Sequence, residues 1–261
     1  MPTDARRVTV GGRTFAVVAG THDTFWDTCE GGWERGTFEV LTSRLGPGST
    51  FVDVGAWIGP MTLVAAACGA RVIAYEPDPA AADELTANVA LNPAIDVTIH
   101  RVALWTSTGS RELHGGPAGL GESMSSFSGR SGRLGSTTVA TIDARQAAAS
   151  WDPSAMVKID VEGAEYRVMP RLARFVAEHH PTVVLSVHGY DVRASLASWP
   201  APLRRVVHHL RHATRTLPLL WALRRYPGLL ASDHARPEWH RLSRIALAVH
   251  MWERELLLER T

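Results

Sequence analysis

From residue 49 onward, short apolar runs alternate with helical stretches, and this alternation constrains the fold more than any other feature of the chain. Residues 50–54 read as a buried strand, and residues 55–59 as a turn. Pro60 stands where a first helical residue is favoured, and residues 61–68 form a helix closed by Gly69. Residues 71–75 make the next strand. Asp78 caps a helix that runs through Ala90, with Pro93 beyond its end. Residues 97–104 read as a third strand. Residues 157–161 and 182–187 read as two more, with a helix over 164–177 between them. Strands that alternate with helices predict an α/β protein, its parallel sheet covered by helices on both faces.

Other patterns flank this core. Val8-Thr9-Val10, Gly11-Gly12 and residues 14–18 predict a hairpin with a glycine turn. Residues 24–45 follow as an amphipathic helical stretch carrying Trp33, Phe38, Val40 and Leu41, ended by Gly46-Pro47-Gly48. The expected division is an N-terminal hairpin and helix over 1–45, a core over 46–191 and a C-terminal segment over 192–261. Within the core, residues 115–136 are rich in glycine and serine. A loop this long inside a compact domain is read as a functional lid, because Met124 and Phe127 give it something to bury.

The C-terminal segment brings Arg204, Arg205, Arg211, Arg215, Arg224 and Arg225 together with His208, His209 and His212, interleaved with Val206, Val207 and Leu210. It reads as a basic amphipathic helical element whose charges form a solvated face. Residues 254–260, with Leu256-Leu257-Leu258, fit either a closing strand or a helix. A formal net charge of +1 gives no general argument for nucleic acid, and none is expected as a partner. No apolar run is long enough to span a bilayer, and no basic n-region precedes an apolar h-region at the start. Cys29 and Cys68 are too few for a disulfide framework, so a reducing cytoplasm is the expected location. A homo-oligomer is compatible with these numbers.

The sharpest local pattern for ligand binding is Phe51-Val52-Asp53-Val54-Gly55-Ala56-Trp57-Ile58-Gly59. It sets an acidic residue two positions before a glycine turn that opens a helix. Gly55 and Gly59 let backbone approach a ligand closely, and the helix start offers free N–H groups. Glu76, 17 residues past Gly59 and followed by Pro77, ends the second strand, where a carboxylate can accept hydrogen bonds from ribose hydroxyls. A dinucleotide fingerprint from Gly55 would need glycine at Trp57 and at Pro60, and both fail. No GK[ST] sequence occurs, so a P-loop is absent. S-adenosylmethionine suits the layout better. It has no pyrophosphate to cradle, and Asp53 can face its amino-acid end.

A second pattern is Val157-Lys158-Ile159-Asp160-Val161-Glu162-Gly163-Ala164-Glu165, which holds the one lysine among 27 basic residues. An ammonium is a compact donor that fits a tight pocket, whereas a guanidinium is a broad planar fork. Lys158, Asp160 and Glu162 fall on one face of an extended segment. Three charges at the end of an apolar strand are costly to bury unless they meet one another, a cofactor or a substrate.

These residues carry a resemblance. Asp53-Val54-Gly55-Ala56, Glu76-Pro77, Leu85 with Asn88, residues 139–143, the block from Val157 to Glu165 and the strand ending at His188 resemble the FkbM-type methyltransferases over roughly residues 30–190. The resemblance implies a Rossmann-like, class I methyltransferase sheet. It also implies transfer of a methyl group from S-adenosyl-L-methionine to an oxygen, a hydroxyl of a sugar or of a glycosylated or polyketide metabolite. Asp53, Gly55, Ala56, Gly59, Glu76, Pro77, Ala103 and Asp160 are the expected cofactor-binding residues. His188 is the first candidate for general base, since its ordinary pKa suits the task, and Asp160 the second. Lys158 could hold Asp160 ionised or lower the pKa of the acceptor hydroxyl, while Glu162 and Glu165 could bind acceptor hydroxyls.

A magnesium or manganese ion on Asp160, Glu162 and His188 is compatible with the ligand types, but no spacing demands it. Two departures stand out. Ser186 lies two residues before His188, where the family often has glutamate. Gly121-Glu122-Ser123 lies where it usually has asparagine. The rival class is a non-catalytic S-adenosylmethionine- or nucleotide-binding module whose basic tail docks a partner.

Overall fold

The computed structural model describes residues 4–127, 134–188, 214, 217–226, 230–233, 236–241 and 254–259. β1 (Ala5–Val10) and β2 (Arg13–Val18) form the expected antiparallel hairpin, turned by Gly11 and Gly12 at φ 56° and 72°. The single helical stretch expected over 24–45 is two helices, α1 (Asp23–Glu30) and α2 (Arg35–Arg44). Gly32 at φ 105° and Glu34 at φ 45° adopt left-handed backbone between them, which no continuous helix allows.

The centre is an eight-stranded sheet. β3 (Thr50–Val54), β4 (Arg71–Tyr75) and β5 (Asp96–His100) run parallel on one side, and β9 (Met156–Ile159) and β10 (Val183–Val187) run parallel to them on the other. The spatial order β10-β9-β3-β4-β5 places the topological switch between β3 and β9. Open α/β sheets bind their ligands at such a point, outside the carboxyl ends of the strands. β3 is buried along its whole length, so it reads as an unbroken apolar run apart from Thr50 and Asp53. α3 (Pro60–Ala67), α4 (Pro79–Ala90) and α6 (Glu165–His179) are the connecting helices, and the expected Rossmann-like α/β sheet is present.

The third strand expected over 97–104 is divided. After β5 the chain turns within two residues, where Val102 N donates to His100 O at 2.9 Å. β6 (Ala103–Trp105) then enters a separate three-stranded sheet with β7 (Gly109–His114) and β8 (Ser136–Asp143), in the order β6-β8-β7. α5 (Ala144–Ala148) leads from this small sheet towards β9.

The described C-terminal residues include a helical run over 217–222 and, beside it, strands. β11 (Leu230–Asp233), β12 (Arg236–Arg241) and β13 (Arg254–Leu258) extend the main sheet, with β13 antiparallel to β10. Of the two options for residues 254–260, the strand is the one formed. The arginine- and histidine-rich stretch over 204–212 lies outside the described residues. Among the described residues no helix is long and apolar enough to cross a membrane.

Candidate active site

The turn after β3 is held shut from the opposite side of the switch point. Gly55 adopts φ 83°, and a Cβ built there would stand 1.8 Å from the carbonyl oxygen of Asp160. Asp160 N in turn donates to Val54 O at 2.9 Å. The glycine was expected to admit a ligand; it also admits the backbone at the end of β9. Gly59, at φ 101°, similarly lies against Leu85, whose Cδ1 would be 2.5 Å from an added Cβ. Trp57 sits between these glycines in left-handed backbone at φ 51°, and its amide donates to Glu76 Oε2 at 2.8 Å.

A cavity opens above this turn, with about 580 Å³ of free space counted out to the surrounding solvent. Of the eight residues expected to bind cofactor, Gly55, Glu76, Pro77, Ala103 and Asp160 line it. Asp53, Ala56 and Gly59 are not among its lining residues. Both oxygens of Glu76 accept backbone amides, Oε2 from Trp57 and Oε1 from Asp78 at 2.7 Å. Burial pushes the Glu76 carboxyl up to about 7 despite these two bonds. Asp53 is wholly buried. It accepts from Thr62 Oγ1 at 2.7 Å, and burial raises its pKa against the opposing pull of Lys158.

One wall of the cavity comes from the glycine-serine loop. Asp78 caps α4 by accepting from Ala80 N at 3.0 Å, while its other oxygen accepts Gly121 N and Ser125 Oγ, each at 2.7 Å. Trp57 Nε1 donates to Gly121 O at 2.7 Å. One carboxylate and one indole therefore fasten the loop over the cofactor turn. Phe127 packs edge-on against Trp105 with ring centroids 5.0 Å apart, and Met124 is half-buried. The Asp78 cap was legible, but its second role as the loop's anchor was not, because its partners lie more than forty residues away.

The lysine block builds a charged cluster at the end of β9. Lys158 Nζ lies 3.2 Å from Asp160 Oδ2 and 3.9 Å from Asp53 Oδ1. Burial opposes its charge, but Asp160, Asp53 and, more distantly, Glu34 hold its pKa well above the ordinary lysine value. Asp160 is half-buried. Lys158 and then His188 overcome that burial and keep its carboxyl below the usual range.

The extended alternation ends here, since β9 stops at Ile159 and Glu162 takes φ 49°. That turn still brings Asp160 and Glu162 together around one imidazole. His188 Nε2 is 3.7 Å from Asp160 Oδ1 and 3.6 Å from Glu162 Oε1, and Nδ1 is 3.3 Å from Glu165 Oε1. Glu165 is fully buried and braces the site from below, accepting Gly163 N at 2.8 Å and His188 N at 2.5 Å. Burial alone would lower the His188 pKa, but Glu165, Asp160 and Glu162 outweigh it and push it up to about 10. Three carboxylates around one imidazole thus favour its charged form.

The candidate ligand atoms of Asp160, Glu162 and His188 lie within 4.8 Å of one another. One imidazole and two carboxylates fit magnesium or manganese by donor type. Lys158 and a charged His188 already set two positive charges beside Asp160 and Glu162. A second, more polar cavity of about 770 Å³ adjoins the first and shares Phe127, Glu162 and Ala164 with it.

A parallel-rich sheet with a cavity at its switch point, a buried carboxylate just past β4 and a charged rim define an α/β protein of the Rossmann-like class. The model of the Methyltransferase FkbM domain matches residues 53–207, more than half of the chain, and the chain belongs to this family. Among solved structures, the methyltransferase FkbM from Methylobacillus flagellatus KT is similar at 17% identity and a TM-score of 0.44, covering 82% of this chain and 44% of that one. The T. thermophilus 16S rRNA N2 G1207 methyltransferase, in complex with AdoMet and guanosine, is similar at 13% identity and a TM-score of 0.44, covering 99% and 50%. The Pyrococcus abyssi tRNA (uracil-54, C5)-methyltransferase, in complex with S-adenosyl-L-homocysteine, is similar at 11% identity and a TM-score of 0.43, covering 98% and 44%. The chain thus spans about half the length of these three structures, or slightly less. No curated protein matches it.

Proposed function

We propose that this chain is an S-adenosylmethionine-dependent O-methyltransferase acting on a hydroxyl of a small-molecule metabolite, a sugar or a glycosylated or polyketide product. The observation that carries the reading is the position of Glu162, which lines both cavities at once. A methyl donor in the first cavity and a hydroxyl in the second would meet across this carboxylate. Gly55, Glu76, Pro77, Ala103 and Asp160 would hold the cofactor, Glu76 through the remaining lone pairs of a carboxylate already oriented by Trp57 and Asp78. When bound, the cofactor supplies an electrophilic sulfonium methyl group.

The chain's own part is to position the hydroxyl in line and to remove its proton. Glu162 is the acceptor of that proton in this reading. A charged His188 lies within ion-pair distance of Glu162 and Asp160 and steadies both carboxylates. Lys158 lies behind Asp160 and keeps it ionised, so a second fixed negative charge faces the sulfonium. Lys158 and Glu165 act as positioning residues in this scheme.

Calorimetry with S-adenosylmethionine, followed by mass spectrometry of a panel of hydroxylated metabolites, tests the proposal. Saturable cofactor binding and gain of one methylene mass at a hydroxyl are expected, and absence of cofactor binding would sink it. Turnover of the accepted metabolite should survive treatment with a chelator, because Lys158 and a charged His188 together set two positive charges against Asp160 and Glu162. Its loss, restored by magnesium or manganese, would assign those three side chains to an ion.

A further inference from the structure

The second cavity carries a chemical preference that rests on the methyltransferase reading and narrows it. Its lining includes Trp105, Arg111, Phe127, Glu162 and Arg167. Arg111 projects from β7 and Arg167 from the first turns of α6, elements more than fifty residues apart in sequence, yet both guanidinium groups converge on one indole. Arg111 Cζ lies 4.5 Å from the Trp105 ring centroid and 5.6 Å from that of Phe127, and Arg167 Cζ lies 5.8 Å from Trp105. Each gains from the negative face of the ring, but two like charges around one ring repel. Neither guanidinium forms an ion pair among the described residues, although surface arginines elsewhere in the chain, such as Arg6, Arg101 and Arg145, do. Both keep their planar donor forks exposed to the cavity.

We infer that this cavity is the acceptor site and that it selects a hydroxylated acceptor bearing an anionic group, a phosphate or a carboxylate, clamped between Arg111 and Arg167. Planar guanidinium forks match both oxyanions with paired hydrogen bonds. Glu162 lines the same cavity, so an acceptor held by its anionic end can present a hydroxyl to Glu162.

The protein saturated with S-adenosyl-L-homocysteine is titrated by calorimetry with glucose, glucuronate and glucose 1-phosphate, at low and at high salt. At least one anionic sugar should bind about tenfold or more tightly than glucose, with the advantage shrinking at high salt. Whichever of glucuronate and glucose 1-phosphate binds tighter names the anion. Arg111→Gln and Arg167→Gln should each weaken the anionic sugar by about tenfold, and S-adenosyl-L-homocysteine by less than about twofold. Equal binding of the three sugars, no binding of either anionic one, or unchanged affinity in the double variant would overturn the inference while leaving the cofactor site standing. Failure of S-adenosyl-L-homocysteine itself to bind would overturn the methyltransferase reading and this inference with it.

Discussion

Glu162 is the side chain on which the proposed chemistry turns, and its left-handed backbone is what lets it share His188 with Asp160. Glu162→Gln keeps the shape and the backbone but cannot take a proton. It is expected to lower kcat by roughly 10²–10⁴-fold, the usual worth of a general base, while cofactor affinity measured by calorimetry stays within about threefold. His188 gives a separate, stability-based test. Its pKa is raised in the fold to about 10 from an ordinary 6.5, so its stabilising contribution is complete below pH 6.5 and is lost as pH rises through about 10. The melting temperature of the wild type should therefore fall between pH 7 and pH 10 more steeply than that of His188→Gln, and parallel slopes would contradict the imidazolium assignment. The ordinary pKa that made histidine attractive as a base says nothing of three carboxylates gathered around it, which only the fold assembles. Gly55 shows the same limit. Its need for glycine is legible in the sequence, but the backbone that crowds it belongs to Asp160, over a hundred residues on.

At the scale of elements, the glycine-serine loop is tied to the cofactor turn by a small set of strong contacts. Trp57 Nε1 reaches Gly121 O, and Asp78 receives Gly121 N and Ser125 Oγ. Trp57→Phe keeps most of the ring packing against Phe25 and His22 but removes the bond to the loop. A single hydrogen bond of this kind contributes about 1 kcal/mol, so S-adenosylmethionine affinity should fall by roughly fivefold. Limited proteolysis should also cut sooner within residues 115–136 in the variant; an unchanged cleavage rate and affinity would show that the loop is held by other means. The length and composition of this loop marked it for a lid, and Met124 and Phe127 suggested what it buries. Its anchors could not be read, because a carboxylate that caps a helix gives no local sign of a second partner. The division of residues 97–104 between two sheets was hidden for a related reason. Val97, Ile99, Val102 and Leu104 make one apolar run, and only the tight turn at His100–Val102 shows that Trp105 belongs to the sheet that faces the second cavity.

At the scale of the whole molecule, the strands of the parallel core are legible because apolar runs bounded by glycine and proline have few other uses. The C-terminal segment is not, since its pattern of arginine, histidine and leucine suits a solvated helix as well as a strand. β13 settles part of this by entering the main sheet beside β10, with register from Val183 opposite Leu258 to Val187 opposite Arg254. Leu256, Leu257 and Leu258 are all buried there, on both faces of the sheet. Burying three leucines contributes on the order of 5 kcal/mol, comparable to the net stability of a domain. β10 carries His188 just past its end, so β13 also supports the strand that delivers the imidazole to Asp160 and Glu162. β13 is accordingly proposed to fold as one cooperative unit with the core. A chain ending at residue 253 should lose cooperative thermal unfolding and expose β10 as an apolar edge prone to aggregation. A truncated chain that stays monomeric, melts in one sharp transition and still binds S-adenosylmethionine would show instead that the core stands without β13, and that His188 is placed by β9 and Glu165 alone.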